Sequence, residues 1–223
     1  MKQKSTDRII PWPNITMDTT TADAKTEVPL RENYTMSSMS YLDSVEAYPL
    51  FEKQARIIKS KGYKGIIDIG CRHGPINKIL HEDLNYTDYS YFGFDTSEEP
   101  IALAIEAWKD YDNINYKVMS WVKSFKVDFK VDVIIFSGVL LYIKDVLLRE
   151  DLLEDLMFRN QCSNAIIAEP YHHQRHWDER LVLQSITENG LDFLNENYEV
   201  DLHYLDLPIF AGKRVIYDIS ARP

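Results

Sequence analysis

The sequence predicts an α/β fold: a doubly wound, seven-stranded, mainly parallel sheet that has helices on both faces and ends in an antiparallel hairpin. From about residue 45 onward, short apolar runs alternate with amphipathic helical patterns, which is typical of parallel strands joined by crossover helices. The last two β-rich segments, "YEVDLHYLDL" and "KRVIYDIS", are separated only by "PIFAG". That separator is too short for a crossover helix, so these two strands should pair antiparallel.

The first helix is predicted to begin near Pro49 and to end at Gly62, with Phe51, Ala55 and Ile58 on its apolar face. Five strands are then expected in order: "GIIDIG", "YFGFD", "INYKVMS", "VDVIIFS" and "NAIIAE".

Helical patterns occupy several of the intervals between these strands. The helix after the first strand carries Ile76, Ile79 and Leu80, and the helix after the second carries a stripe of Ile101, Ile105 and Trp108 that we expect in the core. An amphipathic helix before the fifth strand is marked by Val146, Leu147, Leu153, Leu156 and Met157. A further helix, "RHWDERLVLQSITENG", should end at Gly190.

The chain divides into an N-terminal arm or lid, residues 1–44, and one domain, residues 45–223. The arm is rich in Thr, Ser, Asp and Met, is interrupted by Pro11, Pro13 and Pro29, and shows little apolar periodicity. Two arm residues, Tyr34 and Tyr41, could close over a ligand, although an exposed arm is the more frequent arrangement.

Composition narrows the possible partners and location. The 223 residues carry a formal net charge of −10, which disfavours nucleic acid as a partner unless a local basic patch overrides the overall field. Two cysteines are too few for a disulfide framework, and neither a signal-peptide pattern nor a membrane-length apolar run is present. We therefore expect a soluble cytoplasmic protein.

The segment "DIGCRHG" after the first strand predicts a turn that binds a ligand. Gly70 and Gly74 allow close backbone approach, but their spacing does not match the G-x-G-x-x-G fingerprint of dinucleotide-binding proteins. Asp95 ends the second strand, where an acidic side chain can accept hydrogen bonds from ribose hydroxyls. A ribose-binding acid without a pyrophosphate loop indicates a nucleoside cofactor that lacks a diphosphate.

The series "IIDIGCRHG", "YFGFDTSEEPIALA", "VDVIIFSGVLLYI" and "AIIAEP" resembles the class I S-adenosylmethionine-dependent methyltransferases. The resemblance covers roughly residues 45 to 220. Each motif is weak alone, whereas four in the family's order and spacing are fairly specific. The family has an acid and G-x-G-x-G after its first strand, an acid ending the second strand, and an antiparallel last strand.

The resemblance implies S-adenosylmethionine as cofactor and a set of residues that contact it. Gly70 and Gly74 would pass under its methionine part, Asp68 would orient the turn or meet the amino group through water, and Asp95 would hold the ribose. The remaining positions would be Thr96 beside the adenosine, Ser120 and Trp121 around the adenine, and Ser137 and Gly138 near the sulfonium. The family often has Asp where Ser120 stands, so this position departs from the family pattern.

Arg72 departs from the family, which has its middle glycine at that position. The arginine could keep ordinary backbone dihedrals and point outward, could reach the methionine carboxylate, or could mark a relative that has lost the cofactor. Its neighbour Cys71 suits a small residue packed against the cofactor better than a nucleophile, since no basic partner is assured.

The acceptor side of the site is expected after the fourth and fifth strands. Tyr142 stands where the family often places a residue facing the acceptor, although a packed core tyrosine is an equal alternative. In "EPYHHQRHW", His172 or His173 could serve as a base or bind the acceptor, and solvent-facing loop histidines are the competing interpretation.

His172 and His176 have metal-ligand spacing if they are helical, but no further ligands are evident, so no metal site is predicted. Methyltransferases that act on the 2′-hydroxyl of small RNAs have an acid and a histidine where this chain has Leu141 and Tyr142. That difference argues against this subgroup.

These observations predict a methyltransferase that transfers a methyl group to a small molecule by in-line attack. Three other functions remain open: an inactive binding protein that kept the fold, a nucleic-acid (RNA) methyltransferase, and a nicotinamide-dependent oxidoreductase. The last is disfavoured because the G-x-G-x-x-G fingerprint is absent.

Overall fold

A computed structural model describes residues 47–120, 125–140, 143, 146–170, 198–207 and 212–221. The helices are α1 (Tyr48–Lys61), α2 (Pro75–Lys78), α3 (Glu98–Trp108) and α4 (Val146–Arg159). A π-helical turn, Ile79–Asp83, directly continues α2. The strands are β1 (Gly65–Ile69), β2 (Ser90–Asp95), β3 (Ile114–Val118), β4 (Val133–Ser137), β5 (Ala165–Pro170), β6 (Tyr198–Leu207) and β7 (Gly212–Ala221).

The seven strands form one sheet in the order β3-β2-β1-β4-β5-β7-β6. Strands β1 to β5 pair in parallel, and β7 lies antiparallel between β5 and β6. The predicted sheet and its closing antiparallel pair are therefore confirmed. The winding reverses between β1 and β4, and such a reversal opens a crevice at the carboxyl ends of the strands.

Helix α1 follows its sequence pattern closely. Pro49 lies in its first turn, and Gly62 ends it in the left-handed conformation with φ of 68°. Its buried face contains Phe51, Ala55 and Ile58, as predicted, and also Gln54.

The sheet separates two apolar layers. The face under α1, α2 and α3 buries residues such as Ile66, Tyr91 and Ile135. The opposite face, under α4, buries Ile67, Phe94 and their neighbours on the strands. This confirms the expectation of helices on both faces.

One core prediction is wrong. Ile101 and Trp108 are buried, but Ile105 has half of its side-chain surface exposed, 50%. Ala104 occupies the buried position instead, because the stripe that faces the sheet runs through residues 101, 104 and 108. A spacing of three then four residues keeps this stripe narrow, and residue 105 falls outside it.

One of the other helix predictions needs qualification. The helix after β1 buries Ile76, Ile79 and Leu80 as expected, but it passes into a π-helical turn after four residues. Leu153, Leu156 and Met157 of α4 are buried as predicted. The predicted helix ending at Gly190 and the arm lie outside the described residues.

We predict that Asn160 is a main polar link between α4 and the segment that leads into β4. Its Oδ1 accepts the Val127 N–H at 3.0 Å, and its Nδ2 donates to the carbonyls of Phe125 and Leu156 at 3.1 and 2.9 Å. Asn160→Ala leaves buried backbone groups without partners, so the free energy of unfolding in urea should fall by about 2–3 kcal/mol. Ser163→Ala, at an exposed position nearby, is the control and should change it by less than about 0.5 kcal/mol. Equal stabilities for the two variants would refute this assignment.

Candidate cofactor site

The turn after β1 is fastened to the end of β2 by backbone hydrogen bonds. The N–H groups of Gly70 and Cys71 both donate to the Phe94 carbonyl, at 2.8 and 3.1 Å. Gly74 then donates to the Cys71 carbonyl at 2.9 Å and precedes the first residue of α2, Pro75. The turn is thus held rigidly at the point where the winding of the sheet reverses.

Gly70 and Gly74 are required by conformation and by space. Both have positive φ, 70° and 78°. A Cβ at Gly70 would lie 2.4 Å from Val139 Cγ2, and one at Gly74 would lie 2.1 Å from the Tyr116 hydroxyl. The two glycines therefore let this chain's own side chains approach the turn.

Arg72 occupies a position that normally requires glycine. Its φ is 51°, in the left-handed region, and its side chain is largely buried, 7% exposed. The alternative in which it keeps ordinary dihedrals and points outward is therefore wrong. A left-handed conformation costs a non-glycine residue roughly 1–2 kcal/mol, which other contacts must offset.

Asp95 ties the turn to the end of β2. Its Oδ2 accepts the Arg72 backbone N–H at 3.1 Å, and its Oδ1 accepts the Ser97 N–H at 2.9 Å. The side chain is 5% exposed. A carboxylate oxygen has two lone pairs, so each oxygen keeps capacity for one further hydrogen bond.

Asp68 is a buried carboxylate near the carboxyl end of β1. It is 1% exposed, and its Oδ2 accepts a hydrogen bond from the Tyr91 hydroxyl at 2.6 Å. Its Oδ1 has no hydrogen-bond partner among the residues that the structure describes. Burial raises the pKa of Asp68 to about 7, the Tyr91 hydrogen bond opposes this rise, and the Asp95 charge adds to it.

Asp132 is an aspartate in which both carboxylate oxygens have partners, and its pKa can be compared with that of Asp68. Its Oδ2 accepts the backbone N–H groups of Lys64 and Gly65 at 2.9 and 3.1 Å, and its Oδ1 pairs with Lys130 at 2.8 Å. Partial burial raises the pKa of Asp132, but these hydrogen bonds outweigh burial and hold it below its ordinary value. Asp68 differs from Asp132 in two respects, since it is almost completely buried and has one described hydrogen-bond partner instead of three.

A narrow hollow lies beside Asp68, with a volume of about 10 Å³, roughly the space of one water molecule. It is bordered by helix, turn and strand residues: Phe51, Asp68, Gly70, Cys71, Arg72, Pro75, Ile76 and Ser137. Five of the predicted cofactor residues therefore meet at one point of the fold: Asp68, Gly70, Cys71, Arg72 and Ser137.

The other predicted cofactor residues that the structure describes do not line this hollow. Gly74 directly precedes α2, and Thr96 is exposed just after β2. Ser120 is half-buried after β3, where the Met119 N–H donates to the Asp95 carbonyl at 3.0 Å. Gly138 follows β4 with φ of 70° and donates to the Ala168 carbonyl at 2.8 Å.

Cys71 is buried beneath the turn. Burial raises the pKa of its thiol well above the ordinary value, and the nearby charges of Asp68 and Asp95 raise it further. The thiol therefore stays protonated at neutral pH and is unsuited to act as a nucleophile.

Trp121, Tyr142, His172 and His173 lie outside the described residues, as do Leu141 and His176. Within the described ranges, no group of three or more His, Cys, Asp or Glu side chains could hold a metal ion. The helices of those same ranges include none that is long and apolar enough to cross a membrane.

Two polar residues at this end of the sheet were missed by sequence reasoning. Gln54 of α1 is fully buried and contacts Ser137. Glu169 of β5 is also fully buried, and its Oε1 accepts the Leu140 N–H at 3.0 Å. The position of Gln54, three residues after Phe51 on an apolar helix face, was an available sign of a buried polar role.

Comparison with known proteins identifies the fold through structure alone, since no family model and no curated protein matches the sequence. The N-methyltransferase NodS from Bradyrhizobium japonicum WM9 is 12% identical, with a TM-score of 0.61, over 82% of this chain and 100% of that one. The methyltransferase domain of bacterial CtHen1-C is 17% identical, with a TM-score of 0.58, over 80% and 100% of the two chains.

Magnesium protoporphyrin IX methyltransferase from Synechocystis PCC 6803, crystallised with bound S-adenosylmethionine, has a TM-score of 0.58 at 13% identity. That match spans 85% of this chain and 86% of the other. The chain therefore has the fold of the class I S-adenosylmethionine-dependent methyltransferases, as the sequence motifs predicted.

We predict that Asp68 lowers the stability of the protein above neutral pH. Its folded-state pKa of about 7 lies above the ordinary 3.8, so the folded state loses stability as pH rises between these values. Asp68→Asn keeps the shape and removes the buried charge. Its free energy of unfolding should exceed that of the wild type by on the order of 2 kcal/mol at about pH 8, and the difference should shrink toward about pH 4.

Asp132→Asn is the matched control for this measurement. Its carboxylate is stabilised by its partners, so the same substitution should lower the free energy of unfolding at about pH 8. Denaturant unfolding of the two variants across the pH range measures both effects. A destabilised Asp68→Asn at about pH 8 would contradict the account of the buried carboxylate.

Proposed function

We propose that this protein is an S-adenosylmethionine-dependent methyltransferase that acts on a small-molecule acceptor. The observation that carries the proposal is the Oδ1 of Asp68, which has no hydrogen-bond partner in the described part of the chain and lies buried on the wall of the hollow at the reversal of the sheet. A buried carboxylate oxygen without a partner is costly and suits a ligand that brings a cation.

The residues present fit the amino-acid half of such a cofactor. Its ammonium group would neutralise Asp68, and the turn from Gly70 to Gly74 would lie against its tail. The hollow is smaller than an amino-acid tail, so entry of the cofactor requires side chains to move. Phe51 and Arg72 are its long lining side chains with rotatable bonds and are the ones we expect to shift.

Asp95 fits the ribose. Each of its oxygens already accepts one backbone N–H and keeps a second lone pair, so the carboxylate is oriented before the sugar arrives. Ser120 and Trp121 would flank the adenine, with Thr96 beside the adenosine, and Ser137 and Gly138 would lie near the sulfonium.

When bound, the cofactor supplies an activated methyl group on a positively charged sulfur. The protein's contribution is then mainly to hold the acceptor in line with that group and to exclude water. An alcohol or ammonium acceptor must also lose a proton, and we assign this role to His172 or His173, with Tyr142 facing the acceptor.

The acidic net charge of −10 supports a small acceptor over RNA, because an acidic surface repels phosphate backbones. The structural neighbours include enzymes for both: a magnesium protoporphyrin methyltransferase and a putative RNA methyltransferase from Pyrococcus horikoshii. The fold is compatible with both acceptor classes, and the net charge is the observation that supports the small acceptor that we propose.

The direct test is calorimetric titration with S-adenosylhomocysteine and with 5′-methylthioadenosine, which lacks the amino-acid tail. The wild type should bind both. Asp68→Asn should weaken S-adenosylhomocysteine about tenfold or more, because it removes the charge that meets the ammonium, and should leave 5′-methylthioadenosine within about twofold.

Asp88→Asn is the matched control, since Asp88 is an exposed acid before β2 that pairs with Lys64, far from the carboxyl ends of the strands. It should bind both ligands like the wild type. Absence of binding by the wild type would refute the proposed function and favour a binding protein that kept the fold. An equal loss of both ligands in Asp68→Asn would contradict the ammonium assignment alone.

A further inference from the structure

Gln54 is a polar residue in an apolar environment. It lies on the face of α1 that packs against the sheet, next to Phe51 and Ala55, and its side chain is fully buried. A buried amide lowers stability unless its donor and acceptor atoms both find partners. Its position on the helix therefore calls for a specific partner.

That partner is Ser137, which ends β4 and lines the hollow beside Asp68. Gln54 Nε2 lies 3.0 Å from Ser137 Oγ, and Ser137 Oγ lies 3.1 Å from Gln54 Oε1. The two residues are 83 positions apart in the sequence. Rotating the amide by a half turn would exchange its two atoms and preserve the same pair of contacts.

Counting donors and acceptors shows what the serine can offer to a ligand. A hydroxyl has one proton and two lone pairs. The two distances allow both bonds at once when the Ser137 proton points to Gln54 Oε1 and one lone pair accepts the Nε2–H of the same amide. In that arrangement the second lone pair remains for the hollow, and Ser137 accepts there rather than donates.

We propose that Gln54 is a positioning residue that fixes Ser137 as a lone-pair acceptor for the positively charged sulfur of the cofactor. This inference rests on the proposed function, and it predicts that the protein distinguishes between two related ligands by affinity. S-adenosylmethionine has a sulfonium, whereas S-adenosylhomocysteine has a neutral thioether. An oxygen that can only accept stabilises the first more than the second.

A purely structural role does not explain the pair as well. Apolar residues at both positions would fill the same space without burying an amide, and replacing both partners of a buried hydrogen bond is often nearly neutral for stability. The polar pair is placed at the one end of β4 that borders the hollow. Its location agrees better with ligand recognition than with packing.

The test is the ratio of the two dissociation constants, measured by calorimetry for S-adenosylmethionine and S-adenosylhomocysteine. In Gln54→Leu, the serine proton is freed to point into the hollow, so affinity for S-adenosylmethionine should fall about tenfold and that for S-adenosylhomocysteine by less than about twofold. In Ser137→Ala, the lost lone pair should weaken S-adenosylmethionine selectively by about threefold.

The double variant gives the sharpest result. Once the hydroxyl is absent, Gln54→Leu has nothing to orient, so the double variant should have the same ratio as Ser137→Ala alone. Ile58→Val, one turn further along the buried face of α1, is the control for general destabilisation and should leave the ratio unchanged.

Each result separates this inference from the proposed function. A wild type that binds both ligands, with variants that lose both equally, overturns the role of Gln54 and leaves the proposed function intact. Additive effects in the double variant also overturn it. If Gln54→Leu does not fold, Ser137→Ala decides, and an unchanged ratio there refutes the inference. A wild type that binds neither ligand overturns both.

Discussion

The site depends on one constraint: a carboxylate near the end of β1 is buried and has a single described partner. Asp68 keeps the Tyr91 hydroxyl on Oδ2 and nothing described on Oδ1, and burial lifts its pKa to about 7. Asp132, which precedes β4 and is only partly buried, has three donors, and its pKa is lowered. Nearly complete burial with a single described partner is costly for a carboxylate, and this cost is the reason we propose Asp68 as a ligand-binding residue.

The surrounding structure maintains this arrangement. The turn after β1 is fixed by two N–H groups on the Phe94 carbonyl and by Asp95, which accepts from Arg72. Arg72 holds a left-handed backbone conformation within that turn. Such strain persists where the surroundings dictate it, and it concentrates at ligand sites. The arginine has thus kept the backbone shape for which glycine is usual.

The sequence was sufficient for the fold because its signals are local. The apolar runs predicted the strands, Gly62 predicted the end of α1, and the short "PIFAG" separator predicted the antiparallel pair. The error at Ile105 arose because a spacing of four residues and a spacing of three both fit a helix face, and packing against β-strands selected Ala104. Periodicity alone does not resolve that choice.

The site was predictable in its position and less so in its electrostatics. The motifs predicted that Asp68, Gly70, Arg72 and Ser137 lie close together, and all four line the same hollow in the structure. The lack of a partner for Asp68 Oδ1 within the described ranges and the contact of Gln54 with Ser137 depend on residues far apart in the chain, which a motif does not encode. The roles of Tyr142, His172 and His173 stay predictions.

The proposed pairing of Asp68 with a cationic ligand can be measured by following its carboxyl carbon through a pH titration by NMR, with Asp68→Asn identifying the signal. We expect a midpoint near 7 in the free protein. Saturating S-adenosylhomocysteine should move that midpoint well below 7, since the ammonium favours the ionised form. A midpoint already near the ordinary 3.8 without ligand would show that burial does not raise this pKa, and a midpoint near 7 that saturating ligand leaves unmoved would show that no cation meets Asp68.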